Sequence, residues 1–270
     1  MNNDGNTDFR IDRSENTASG CSPQISPKIN YFCTIDRDLR HGWAISFVLR
    51  PHGTPNDANR IICKRTMYPD KPLVAPALYL PPISYFTAIR SSAHPVLIEQ
   101  HEHFPKQTYR TRASIHGANG KLDLIIPVKK GSKVHTPMKD VRISYESNWQ
   151  RLHWLSMQTA YRTSAFFEYY EHEFAGFYER QYAFLLDYNM ELFELLLRLL
   201  KLDVAWELTD RYQADYPERI DLRALVHPKK EAPRPVEPYY QVFASKNGFL
   251  PNLSIVDLLF NLGPQSKSHL

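Results

Sequence analysis

Three groups of side chains in this sequence combine residue types and spacings that can do chemistry. The first is Glu99-Gln100-His101-Glu102-His103-Phe104-Pro105-Lys106. If the segment is extended, alternation puts Glu99, His101 and His103 on one face, where imidazole nitrogen and carboxylate oxygen can meet a metal ion. Three ligands from one strand rarely close a tetrahedron and no matching His or Asp pair stands out elsewhere, so no metal is assigned. The two histidines can instead line a polar pocket, where a neutral imidazole can act as general base at cellular pH; the remaining reading is a surface strand without chemistry. The second group is Lys106, Arg110 and Arg112. Arg110 and Arg112 share a face of an extended segment, and two guanidiniums can grip a diphosphate or carboxylate such as a nucleotide sugar or coenzyme A presents. Ion pairing to Glu99 or Glu102 is the plain alternative. The third is His153, Met157 and Tyr161, spaced i, i+4, i+8 on a helix that begins at Trp149. His153 can accept a proton from an incoming amine or hydroxyl, or can bond a backbone carbonyl in the core with Tyr161 packed beneath it. No GxSxG, GxxxxGK[ST], GxGxxG or HExxH pattern occurs, so hydrolase, kinase and Rossmann readings lose support.

The elements that must position these groups follow from periodicity. Val74 to Leu80 and Val96-Leu97-Ile98 read as buried strands, with a short helix from Ile83 to Arg90 after Pro81-Pro82. Ile115 and Leu122 to Val128 read as two strands joined at His116 to Gly120, because Asn119-Gly120 tolerates the positive φ of a tight hairpin. Val141 to Tyr145 alternates as a further strand. The period then turns helical: from Trp149 with Ser147 or Asn148 as cap, from about Ala165 to Tyr182, and from Asn189, as a cap, to about Leu200. Residues 227–238 hold four prolines and read as an exposed loop. A last helix, capped near Asn252 or Ser254, stops at Gly263-Pro264. The expectation is an α/β domain over residues 73–264, with a mixed β-sheet and C-terminal helices.

The chain has 270 residues, 43% hydrophobic and 23% charged, which excludes wholly disordered and fibrous classes. Its net charge of +4 fits phosphate or anionic-sugar ligands and is too small to point to nucleic acid. The most apolar segment, Tyr182 to Leu202, carries five charged residues, so no membrane span is expected. The first 30 residues have no apolar h-region, and the expected location is the cytoplasm. Cys21, Cys33 and Cys63 show no CxxC pairing, which supports neither a disulfide framework nor a cysteine zinc site. Residues 1–72 read as a mostly disordered or irregular extension, and the composition shift near Met67 raises that residue as an alternative start.

Several spaced motifs together resemble the WbqC-like family, whose members are associated with bacterial O-antigen and surface-polysaccharide gene clusters. Tyr79-Leu80-Pro81-Pro82-Ile83-Ser84-Tyr85-Phe86 is similar to the family's Gln-Pro-x-Tyr-x-Pro-Trp-x-Gly-Tyr-Phe, with Pro76-Ala77 in place of Gln-Pro. Phe104-x-Lys106-x-x-Tyr109-x-x-Arg112 resembles Phe-x-Lys-x-x-Trp-x-Asn-Arg-Asn, with Thr111 and Ala113 where asparagines are usual. Pro127-Val128, Trp149-x-x-x-His153, Tyr161-Arg162-x-x-x-Phe166-Phe167 and Leu253-Ser254-x-x-Asp257-Leu258-Leu259 follow in order, so the resemblance runs from about Leu73 to Pro264. It implies an enzyme that makes or modifies surface sugars, with acyl or aminoacyl transfer to an amino sugar as one hypothesis. It also implies Lys106, Arg112, Tyr85, Tyr109, Trp149 and Tyr161 as ligand contacts. An acyl-coenzyme A or nucleotide sugar would be the anionic donor and a sugar the acceptor. The family usually has an acidic residue and a Gln where this chain has His101 and His103. The competing class is a non-catalytic binding or scaffold protein of a glycan-assembly complex.

Overall fold

A computed structural model describes residues 32–38, 42–48, 71–129, 135–232 and 235–270. The chain divides into two units, Met1–Lys64 and Arg65–Leu270. In the first, β1 (Phe32–Asp38) and β2 (Gly42–Val48) pair antiparallel, Phe32 opposite Val48. This part of the stretch read as irregular is therefore a hairpin; the remainder of 1–70, with Cys21, Cys63 and Met67, lies outside the described residues.

The second unit opens with β3 (Leu73–Pro76), α1 (Ile83–Arg90) and β4 (Val96–Glu99). The two strands are parallel, with Val74 opposite Leu97, and α1 supplies the crossover that parallel pairing needs. Next come β5 (Arg112–Gly117) and β6 (Gly120–Ile125), then α2 (Trp149–Tyr161), α3 (Phe167–Glu179) and α4 (Leu185–Leu199). Short elements follow: β7 (Trp206–Leu208), β8 (Ile220–Asp221), α5 (Leu222–Leu225) and α6 (Ala244–Asn247). The chain ends in α7 (Ile255–Leu262) and a 3-10 segment, Gly263–His269. The fold is α/β. Parallel and antiparallel pairings both occur, but in separate sheets: a four-stranded parallel sheet ordered β7-β4-β3-β8, and the β5-β6 hairpin.

Differences from the sequence reading have identifiable causes. β3 stops at Pro76, which has no N–H to donate, and Leu80 turns into the left-handed region with φ 39° instead of continuing a strand. Val141 to Tyr145 is extended, but it touches its neighbours only through single bridges, Val128 to Ile143 and Arg142 to Phe184. Pro127 offers Ser144 a carbonyl and no N–H, so no ladder propagates. Asn189 does not cap a helix. It lies inside α4 with no exposure, and its amide donates to the backbone oxygens of Arg110 (2.9 Å) and Ala77 (3.4 Å). β7 and β8 are too short for their periods to register in the sequence.

α4 buries Leu185, Leu192, Leu196 and Phe193, while Tyr85, Phe86 and Phe193 meet edge to face or tilted in the centre of the core. The C-terminal segment clasps the bend after β3: Ile83 N–H donates to Leu253 O, Ile255 N–H to Pro81 O, and the Ser254 hydroxyl to Leu80 O. Ser254 also caps α7 by accepting from Val256 N–H. The helix ends at Gly263, with φ 55°, where an added Cβ would come within 2.5 Å of the Phe166 ring. Gly263→Ala is therefore expected to lower stability by about 2–4 kcal/mol, since a left-handed non-glycine backbone and an overfilled core each cost on the order of 1–3 kcal/mol. Chemical denaturation checks this, and an unchanged midpoint would mean that the glycine is not what seats Phe166.

Candidate functional site

Ligands of open α/β sheets bind beyond the carboxyl ends of parallel strands, where successive loops diverge. In this chain that edge gathers Glu99 from β4, Thr209 after β7, and Asp221 from β8. Glu99 has no solvent exposure. Its Oε1 accepts from His101 N–H (2.8 Å) and the Thr209 hydroxyl (2.9 Å), and its Oε2 from the Tyr216 hydroxyl (3.1 Å) and Arg223 Nη1 (3.5 Å). Arg223 also pairs with Asp221, its Nη2 lying 2.6 Å from Oδ2, and donates to the carbonyls of Gln213 and Ala214. One guanidinium thus fixes the loop between β7 and β8 against the end of the sheet.

Beyond β4, residues 102–104 run antiparallel to 136–138: Met138 N–H donates to Glu102 O, Phe104 N–H to Thr136 O, and His103 bridges Pro137. The local alternation sends neighbouring side chains opposite ways. Glu102 points inward, and its Oε1 accepts from Arg110 Nε at 2.6 Å and lies 2.6 Å from Nη2. Burial raises the Glu102 pKa, an effect that Arg110 opposes. His103 is exposed, and its ring centroid lies 4.7 Å from that of His135 and 6.1 Å from that of Tyr212. His135 sits two places from His103's bridge partner, a diagonal position on the same face of the pair. His227, after α5, has a lowered pKa because of burial and the nearby charges of Lys230, Lys229 and Arg110.

The residues singled out in the sequence divide among several places. Glu99, His101 and His103 do not share one face: Glu99 is buried, His101 half-buried and His103 exposed, because the chain bends directly after β4. Lys106, Arg110 and Arg112 do not converge either. Arg110 is 2% exposed and spent on Glu102; Arg112, on β5, lies 3.4 Å from Asp123; Lys106 is exposed. Tyr85 is buried, with its hydroxyl on the carbonyl of Pro76. Tyr109 is buried too, and its pKa is raised by burial, with Asp123 adding to the rise. The sequence reading missed His135, Thr209, Tyr212, Tyr216 and Arg223 as members of one edge. Their separation along the chain hides them, and only the strand order assembles them.

A family model, the WbqC-like protein family, matches residues 77–228, more than half of the chain. The protein belongs to the WbqC-like family. Comparison with curated proteins and with solved structures returned no match. The matched range takes in the whole carboxyl edge of the parallel sheet, from Glu99 to Arg223, together with the Tyr79 and Trp149 motifs; the Leu253-Ser254 motif lies beyond it.

In this WbqC-like protein, the His153, Met157 and Tyr161 stripe is the buried face of α2. The eight-residue separation, about 12 Å along a helix, puts its two polar members in different networks. Tyr161 donates to Asp257 Oδ1 at 2.7 Å, and Tyr239 and Gln241 donate to Oδ2 at 2.6 and 3.1 Å. His153 Nδ1 lies 3.0 Å from the Tyr79 hydroxyl, which lies 3.0 Å from the Tyr178 hydroxyl. The imidazole is stacked against Tyr79 and meets Trp149 edge-on. Burial drives its pKa from 6.5 down to about 4, against a backbone hydrogen bond to Ile125 that favours the charged form.

Such an imidazole is neutral in the folded protein, held by Tyr79 on one side and by backbone on the other. Between pH 6.5 and about 4 the unfolded chain takes up a proton that the folded chain refuses. The stability this neutral group contributes is fully present above pH 6.5 and declines as pH falls toward 4, by about 3 kcal/mol at most. His153→Gln should be less stable than the wild type at pH 7.5, with the gap narrowing by pH 4.5 in urea titrations. A gap independent of pH would mean that this imidazole does not titrate on unfolding.

Proposed function

We propose that the protein is a group-transfer enzyme of surface-polysaccharide biosynthesis, moving an activated group from an anionic donor to a sugar, with Glu102 as its proton acceptor. The observation that carries this reading is the contrast between two carboxylates at one strand end. Glu99 is saturated by four donors, whereas Glu102 commits one oxygen to Arg110 and is held in surroundings that raise its pKa. The carboxylate saturated by donors serves the structure, and the one with an uncommitted oxygen can take a proton. In the transfer, the acceptor's hydroxyl or amine gives its proton to Glu102 as its oxygen or nitrogen bonds to the transferred group. The donor's thiolate or diphosphate leaves with the bonding electron pair. Arg110 keeps Glu102 ionised enough to act and fixes its direction. The setting favoured by this reading is the cytoplasm, where activated donors are made; no described helix is long and apolar enough to cross a membrane.

A binding or scaffold role is the second reading, favoured by the internal pairing of Arg110, Arg223 and Glu99. The two separate on turnover. Incubation of the full chain with acyl-coenzyme A and nucleotide-sugar donors and amino-sugar acceptors should release coenzyme A or nucleoside phosphate. Glu102→Gln, which keeps a hydrogen-bonding group beside Arg110 but leaves its charge unpaired, should reduce that rate by a factor of about 100 or more in protein that circular dichroism shows to be folded. Wild-type protein that consumes no donor, or a Glu102→Gln variant at full rate, would sink the catalytic assignment.

A further inference from the structure

Three exposed rings meet at the carboxyl edge. His103, His135 and Tyr212 are all exposed, Tyr212 by 48%, and successive rings meet at 4.7 and 6.1 Å between centroids, tilted by 50° and 43°. They come from three separated segments. His103 is held by the pairing of 102–104 with 136–138, and His135 directly precedes that pairing. Tyr212 stands on the loop that Arg223 ties down, with the guanidinium carbon 6.0 Å from its ring and 5.0 Å from that of Tyr216. The contacts among these rings, and of Tyr212 with Arg223, contribute only modestly to stability. Preorganisation does reduce the cost of binding a flat ligand.

Two exposed lysines flank the paired segments that carry His103 and His135, one toward each end. Lys106 lies three residues past His103 and Lys139 two residues past its bridge partner Pro137; both are exposed, and among the described residues neither has a carboxylate within ion-pair distance. The cations deeper in the edge, Arg110 and Arg223, are already neutralised by Glu102 and Asp221. A ligand that offers a flat ring to the ledge and negative charge to Lys106 satisfies both halves. We infer that the His103, His135 and Tyr212 ledge is the stacking surface for the base of a nucleoside diphosphate, with Lys106 as the cation for its phosphates. Coenzyme A and nucleotide sugars both carry that base-and-diphosphate unit, so the inference rests on the transfer reading and narrows its donor. Stacking on a fixed ring contributes without reference to hydrogen-bond readout of the base, so the ledge sets where the donor lies and leaves the choice of base to other contacts.

Calorimetric titration of the full chain with UDP, ADP, coenzyme A and inorganic pyrophosphate tests this without turnover. At least one base-bearing ligand should bind more tightly than pyrophosphate. Tyr212→Ala and His135→Ala should each weaken it roughly tenfold to a hundredfold, the scale of one stacking contact, and leave pyrophosphate unchanged. Lys106→Ala should weaken both. Preference for coenzyme A names an acyl donor, and preference for UDP names a nucleotide sugar. Pyrophosphate binding as tight as any nucleotide, equal affinities in wild type and Tyr212→Ala, or no binding of any of them would overturn the ledge. Turnover that persists in those cases would leave the transfer reading standing with its donor held elsewhere. Tight, ledge-dependent binding without turnover would do the reverse.

Discussion

A carboxylate with no exposure cannot be left with unfilled lone pairs, and Glu99 at the end of β4 imposes that requirement on everything around it. Four donors answer it, from the His101 backbone, the Thr209 and Tyr216 hydroxyls, and Arg223. Each donor belongs to a different turn of the chain, so satisfying one charge fixes the bend after β4, the exit from β7, and the loop before β8. Arg223 extends the constraint outward to Asp221 and to the carbonyls of Gln213 and Ala214. The edge is ordered because the charge at its centre has to be paired.

Arg110 and Glu102 repeat the logic one layer further out. A guanidinium 2% exposed is tolerable only when matched, and removal of its partner would leave a buried charge, a change that typically costs about 3–5 kcal/mol. Asn189 reaches across from α4 to the Arg110 carbonyl, so the helix that carries the largest apolar face also holds the backbone of the buried arginine. The polar interior and the hydrophobic core are joined at that residue. The buried carboxylate of Asp257 does for the C-terminal half what Glu99 does for the edge, collecting Tyr161, Tyr239 and Gln241 about the first turn of α7.

Elements with a strong period were legible before any coordinates. The helix Ile83–Arg90 occupies the residues its proline start and apolar spacing indicate, and the Gly120 turn carries the φ of 104° that Asn119-Gly120 was expected to allow. Capping residues were less legible, because a side chain able to cap is equally able to bond inside a helix. Ser254 caps α7 while Asn189 sits within α4, and nothing in their immediate neighbours distinguishes them. The stripe His153, Met157 and Tyr161 was read correctly as one face, but its chemistry depends on what packs against it. Burial keeps His153 neutral, with Tyr79, 74 residues away, bonded to it, and Asp257, 96 residues away, makes Tyr161 a donor. For the arginines the shared face that period two predicts does not form, and the alternative of ion pairing holds for Arg110, which pairs with Glu102, while Arg112 lies 3.4 Å from Asp123.

The side chains that looked most like catalysts in the sequence are largely the ones the interior uses. His153 is neutral and bonded, Arg110 is paired, Tyr85 and Tyr161 are donors to buried oxygens. A group so engaged can act on a ligand only by breaking a bond the fold depends on, at a cost of order 1–3 kcal/mol for a hydrogen bond left unmade. Groups free to act must therefore have a spare valence and lie near solvent. At the carboxyl edge Glu102, though buried, has one oxygen beyond its arginine, while His103, His135 and Tyr212 are exposed and in contact with one another. Side chains that the interior leaves unspent are what a site requires, and here they occur together where parallel strands end.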